Sequence, residues 1–192
     1  CGAIAQVQHM PNFHDLQDRF EVTCACDISA GAADYVATKY NVPNHTTDYR
    51  ELLAGDVDAV LLCHRDPKTE IALASLAAGK HMFIEKPVCF SKEEAQSITD
   101  AAAAAGVVAQ TGYMKVYDPA FEVTAEAMKG WDPAFVQVNH LHPNNNLHLA
   151  QFHIERFDDV PPEAGEASAK ARDAAFKQAI DDDVSPEAKS IF

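Results

Sequence analysis

Apolar and polar positions fall into two textures along the chain, and the first reads as strand followed by helix, repeated. Phe20–Cys26 (FEVTCAC) has the composition of a strand, and a helical pattern follows near Ser29–Tyr40. A short helix is expected at Tyr49–Ala54, led in by Thr46, Thr47 and Asp48. Asp58–Cys63 (DAVLLC) is almost continuously apolar, as expected of a strand buried on both faces. Thr69–Ala78 is rich in Ala and Leu and is stopped by Gly79, a usual residue beyond a helix end. His81–Glu85 (HMFIE) gives the next strand, which Pro87 prevents from continuing. Ser91 and Glu94 have capping-box spacing, opening a helix that runs through an alanine tract to Gly106. Val107–Thr111 follows as a strand. Strands and helices alternating through short connections predict a parallel sheet covered by helices, an α/β fold.

The texture changes after residue 115. Pro119–Lys129 looks helical, and Ala134–His142 (AFVQVNHLH) alternates like a half-exposed strand. A polar loop at Pro143–Asn146 precedes a further strand candidate at Phe152–Phe157. Ala164–Ile180 reads as an Ala-rich helix, with a frayed tail from Asp181 to Phe192. Residues 1–115 are therefore expected to form one domain, and residues 116–192 the start of an α+β second domain.

Composition narrows the function classes. At 192 residues, 47% hydrophobic and 23% charged, the chain has the make-up of a soluble globular protein. No apolar run reaches the roughly 18 residues that suggest a membrane span, and no basic-then-apolar secretory pattern opens the chain. The net charge is −14, with no basic stripe to neutralise phosphates, so neither nucleic acid nor an anionic membrane is expected as a partner. The cysteines (Cys1, Cys24, Cys26, Cys63, Cys89) are odd in number and irregularly spaced. Reduced, mostly buried thiols in a cytoplasmic protein are the expectation. Cys24-x-Cys26 is too close for an ordinary zinc pair and fits one face of a strand.

Candidate chemistry starts at Cys1-Gly2-Ala3-Ile4-Ala5 and at Asp27, 25 positions after Gly2. A dinucleotide-binding fold places a Gly-rich turn before its first helix, so that backbone N–H groups face the pyrophosphate. About 20 residues on, it places an acid for the ribose hydroxyls. Asp27 could equally cap the helix that follows it. An acid at this position repels a 2′-phosphate, so NAD is favoured over NADP. The full fingerprint has another Gly and a strand before Cys1. The sequence is accordingly expected to begin inside the motif, with the first strand of the sheet upstream.

Glu85-Lys86-Pro87 closes a strand and puts a lysine at the crevice where open α/β sheets bind ligands. The run from Ala77 to Pro87 (AAGKHMFIEKP) resembles the AGKHVxxEKP signature of the glucose–fructose oxidoreductase / inositol dehydrogenase / MocA family. Gly2-x-x-Ala5, Asp27, Asp58-Ala59-Val60 and Gly112-Tyr113-Met114-Lys115 with Asp118-Pro119 fit the same family in order and spacing. The resemblance covers about residues 1–142.

It implies a Rossmann-type domain, a larger open-sheet domain, and a nicotinamide-dependent oxidoreductase acting on sugars, polyols or related secondary alcohols. It further implies that Gly2, Ala3, Ile4 and Ala5 meet the pyrophosphate of NAD and that Asp27 and Ile28 meet the adenosine ribose. Cys63 and His64 would end a strand beside the cofactor, and Glu85, Lys86 and Pro87 would lie near the nicotinamide across a cis Lys86–Pro87 bond. Lys86 would be the catalytic or substrate-orienting lysine, and Lys115 would lie on the substrate side. Assembly into a homo-oligomer is implied in the same way.

Two departures stand out. His64-Arg65-Asp66-Pro67 replaces the family's common Thr-Pro pair, and the family's second acid/base group, a His or Asp of the second domain, has no assigned counterpart. His140 and His142 would share one face of a strand, with His148 and His153 nearby. Such histidines could line a polyol site with Asn144, Asn145 and Asn146, hold a metal, or simply form a polar sheet face. His140 and His142 are the better candidates for the substrate side because they share a strand face, the polar face remains open beside that reading, and no metal is assigned. A non-catalytic nucleotide- or sugar-binding regulator, and an inactive fragment, are the alternatives to an enzyme.

Overall fold

The computed structural model describes residues 1–65, 67–137, 139 and 144–183. A π-helical turn at Ala5–His9 runs into α1 (Met10–Asp15). It is followed by β1 (Cys24–Cys26), α2 (Ala30–Tyr40), β2 (Asn44–Thr46), α3 (Tyr49–Ala54) and β3 (Ala59–Leu62). Next come α4 (Thr69–Ala77), β4 (His81–Ile84), α5 (Lys92–Ala105) and β5 (Ala109–Thr111). A 3₁₀ turn at Met114–Tyr117, then α6 (Pro119–Ala127), α7 (Asn145–Leu149) and α8 (Pro162–Asp183), complete the order.

Every strand pair is parallel: β1 lies beside β2, and β4 lies between β3 and β5. Parallel neighbours need a crossover, and α2, α4 and α5 supply one for each pair. The result is the Rossmann-like arrangement expected from the alternation. β3 and β4 can be buried because their runs are apolar throughout: Val60, Leu62, Met82 and Ile84 pack with Leu76 of α4 and Ile98 of α5. A second cluster joins Val36 and Ala37 of α2 to Ala25 of β1 and Met10 of α1.

Caps set where the helices begin. The Ser29 hydroxyl accepts from the Ala32 N–H at the start of α2, and Asp48 accepts from the Arg50 N–H at the start of α3. Ser91 and Glu94 form the reciprocal capping box at α5. The other Glu94 oxygen accepts from the Thr69 hydroxyl at 2.7 Å, tying the starts of α4 and α5 together. This junction anchors the chain just beyond Glu85–Pro87.

The structure corrects several expected elements. The first strand begins at Cys24 rather than Phe20, and the Thr23 carbonyl accepts instead from the Asn44 side chain at 3.0 Å. β2 was not expected, since Asn-His-Thr carries no apolar signal. Residues 134–137 are not in a strand: Phe135 is 79% exposed and Val136 60%, so their alternation faces no core. The rest of that expected strand lies outside the described residues, except Asn139. Asn144 caps the short helix α7 instead of standing in a loop, its side chain accepting from the Asn146 N–H. Phe152–Phe157 forms no strand.

Contacts divide the chain into two units, Gly112–His153 and the remainder. The segment from Ile154 onward therefore belongs with the α/β unit rather than with residues 116–153. Gln6 is a direct reason. Its amide accepts from the Glu155 N–H at 2.9 Å and donates to the Glu155 carbonyl at 3.1 Å.

Candidate active site

Parallel strands deliver the residues that follow them to one end of their own sheet, and the described strands form two sheets, β1–β2 and β3–β4–β5. Asp27 follows β1, Cys63 and His64 follow β3, and Glu85, Lys86 and Pro87 follow β4. The N-terminal segment reaches the ends of both sheets: the Cys1 thiol points to the Cys26 carbonyl at 3.6 Å, and His9 meets Glu85. Helical backbone starts at Ala3, and the Gln6 N–H donates to the Gly2 carbonyl at 3.0 Å. A side chain built on Gly2 would meet nothing within 4 Å, so backbone there is open to close approach by a ligand. Gly2 and Ile4 are exposed, Ala3 half-buried and Ala5 buried.

Asp27 is oriented by its own chain. Its Oδ1 accepts from the Ser29 N–H at 3.0 Å. A carboxylate offers about four lone-pair sites, so acceptor capacity remains for hydroxyl groups. Ile28, beside it, is 53% exposed. Glu85 is held more tightly. Its backbone N–H donates to the Leu62 carbonyl, its Oε1 lies 2.8 Å from His9 Nε2, and its Oε2 accepts from the Lys86 N–H. The His9 ring also meets the edge of Phe83 at 5.8 Å. The Lys86–Pro87 peptide is cis, and the Lys86 side chain is exposed.

Sequence reasoning missed two residues here. His9 clamps Glu85, and its signal was its place at the end of the helix that Gly2 opens. It closes the π-helical turn, an irregularity often found at functional sites. Lys68 is 2% exposed and donates its Nζ to the Pro87 carbonyl at 2.9 Å. Nothing in the local pattern separated it from a surface lysine. Lys115 lies in the Gly112–His153 unit and is exposed. His140 and His142 lie outside the described residues. All five cysteines are free.

The cysteines are half-buried rather than mostly buried, and two of them give a pH signature. Burial pushes Cys63 from 9.0 to about 12. Burial, with Cys24 and Asp27 adding to it, pushes Cys26 to about 11. In the unfolded chain both would ionise near 9.0, so above that pH the folded state holds more protons. Stability is therefore expected to fall as pH rises above 9.0, by at most about 1.4 kcal/mol per pH unit for Cys63 and by less for the more exposed Cys26, whose charge water screens. Urea unfolding at pH 8, 9 and 10 in reductant should show the fall steepening above pH 9, and less of it in Cys63→Ser. An identical slope in that variant would refute the assignment.

A family model described as an oxidoreductase family with an NAD-binding Rossmann fold (GFO_IDH_MocA) matches residues 1–113. The chain belongs to this family. Within it, the chain is 32% identical over 124 residues to an uncharacterized oxidoreductase, YrbE, of Bacillus subtilis strain 168, covering 64% of this chain and 36% of that protein. It is 29% identical over 117 residues to inositol 2-dehydrogenase of Salmonella typhimurium, covering 59% and 35%. The solved structure of GenD2 from gentamicin A biosynthesis, in complex with NAD, superposes with a TM-score of 0.57 at 27% identity, covering 63% of this chain and 35% of that one. The chain thus spans little more than a third of the length of these GFO_IDH_MocA relatives. Among its described residues no helix is long and apolar enough to cross a membrane.

Proposed function

We propose that the chain carries the coenzyme-binding part of an NAD-dependent oxidoreductase that interconverts a secondary alcohol and its ketone on a sugar, a polyol or a related compound. One observation carries the reading: the helical segment that Gly2 opens meets the ends of both parallel sheets, through Cys1 at Cys26 beside Asp27 and through His9 at Glu85 beside Lys86. Bound NAD would supply the hydride acceptor. Backbone N–H groups at the helix start beside Gly2 hold the pyrophosphate, and Asp27 takes the ribose hydroxyls. Ile28 offers an apolar surface beside them. Cys63, His64 and Glu85 line the approach to Lys86. The Lys86 ammonium hydrogen-bonds the reacting oxygen and stabilises the negative charge it carries once the hydroxyl proton has passed to a base and before hydride leaves the carbon. Glu85, fixed by His9, holds the backbone of that turn in place.

The likeness to inositol 2-dehydrogenase supports a polyol, and the carboxylate of Asp27 supports NAD over NADP. The same reading gives Lys115, His140 and His142 to the substrate side, and a cytoplasmic homo-oligomer as the working form.

Calorimetric titration with NAD⁺, followed by turnover assays over a panel of inositols and sugars, tests the proposal. Asp27→Ala should weaken NAD⁺ binding by about tenfold, the cost of a lost charge-assisted hydrogen bond or two. Binding without turnover on any alcohol would leave a non-catalytic nucleotide-binding module, and no binding would end the proposal.

A further inference from the structure

The start of α2 is filled from within the chain. The Ala32 N–H donates to the Ser29 hydroxyl at 2.9 Å, and the Gly31 N–H donates to Asp159 Oδ2 at 2.8 Å. The Ser29 hydroxyl donates in turn to Asp159 Oδ1, while the Ser29 N–H donates to Asp27. One serine therefore holds two carboxylates, one from the end of β1 and one from 130 residues downstream.

The segment that delivers Asp159 is built in place. Gln6, 5% exposed, makes its paired hydrogen bonds to Glu155. The Phe157 ring packs on Tyr35 with centroids 5.8 Å apart. It also crosses Gly31 so closely that a Cβ there would come within 2.7 Å of Phe157 Cδ1. Residue 31 must be glycine for this strap to dock.

We propose that Asp159 is a coenzyme-specificity residue: together with Asp27 it closes the adenosine end of the site to a 2′-phosphate. The inference rests on the coenzyme reading above and goes beyond it, since Asp159 lies outside the stretch matched by the family. A phosphate on the ribose held by Asp27 would seek the helix N–H groups and the adjacent hydroxyl. Those donors, Gly31 N–H and Ser29 Oγ, are already given to Asp159. The same hydrogen bonds hold its carboxyl below the ordinary carboxylate range, so it is charged at neutral pH. A 2′-phosphate thus meets a second negative charge where the Gly31 and Ser29 donors are already taken, whereas the neutral 2′-hydroxyl of NAD is unaffected. This is discrimination by building repulsion against the wrong ligand.

The test uses the full chain and its Asp159→Asn and Phe157→Ala variants, titrated calorimetrically with NAD⁺, NADP⁺, 5′-ADP and 2′,5′-ADP. Asp159→Asn removes the charge; Phe157→Ala loosens the strap and leaves the carboxylate. The NADP⁺/NAD⁺ and 2′,5′-ADP/5′-ADP affinity ratios are expected to rise about tenfold or more in Asp159→Asn, with NAD⁺ and 5′-ADP binding within about twofold of wild type. Phe157→Ala should move both ratios in the same direction. Unchanged ratios in both variants, including an equal loss of all ligands, would reduce Asp159 to a helix cap and overturn the inference while the coenzyme reading stands. Failure of the wild-type chain to bind either NAD⁺ or 5′-ADP would overturn both.

Discussion

Lys86→Ala is expected to lower turnover by about 10²–10⁴-fold while NAD⁺ binding stays within about threefold. The separation follows from where the side chain sits. Lys86 is exposed at the sheet end, beyond β4, and its neighbours are held without it. Glu85 is fixed by the Leu62 carbonyl, His9 and the Lys86 backbone N–H, and Pro87 is fixed by the buried Lys68 amine. On the proposed reading, truncating the Lys86 side chain removes an ammonium from the reacting oxygen but leaves the backbone of the turn supported. The loss should fall on kcat, because the interaction strengthens only as charge develops on that oxygen. Lys86→Arg keeps the charge but changes its shape and reach, and should restore little. Turnover of Lys86→Ala near the wild-type rate would remove Lys86 from the mechanism. Parallel loss of NAD⁺ affinity would instead make it a binding residue.

The legible parts of the fold were those whose signal is local. Apolar runs marked β3 and β4, although only the Val60/Leu62 and Met82/Ile84 face is buried and the other is partly covered, and the Ser91/Glu94 spacing marked α5 because the two caps are three residues apart. β2 was invisible since its three residues, Asn44, His45 and Thr46, are polar and only partly buried; what makes them a strand is the ladder with β1. Residues 134–137 erred in the opposite direction, with strand-like alternation but no partner to supply hydrogen bonds.

The site divides similarly. Asp27 and Glu85–Pro87 could be singled out because each follows a recognisable strand, and Gly2 by its spacing to Asp27; their roles belong to the proposal. His9 and Lys68 act on that turn through contacts that only the folded chain makes. Asp159 was still less accessible to the sequence. Its signal is divided between a glycine at position 31, an aromatic at 157 and a serine at 29, none of which is unusual alone.

Ile84→Ala should be the most damaging of the simple core truncations at the site, destabilising the chain by about 2–5 kcal/mol. Ile84 is 1% exposed and is the last residue of the central strand of its sheet, paired in register with Leu62 on one side and Thr111 on the other. Its side chain belongs to the cluster with Leu76 and Ile98, where helices cover the sheet, so little backbone can move in to fill the space left behind. With total stability of a small domain near 5–15 kcal/mol, the loss is a large fraction of what holds the fold. Thermal unfolding should fall by roughly 4–20 °C, on a scale of about 2–4 °C per kcal/mol for 150–250 residues. Function should suffer before the midpoint is reached, because Glu85 takes its position from the residue before it, and the His9 clamp and the Lys86 turn follow from Glu85. Phe135→Ala is the matched control. Its ring is larger but 79% exposed, and its removal should change stability by no more than about 0.5 kcal/mol. An Ile84→Ala protein within about 1 kcal/mol of wild type would mean that β4 is not the strand on which the site is built.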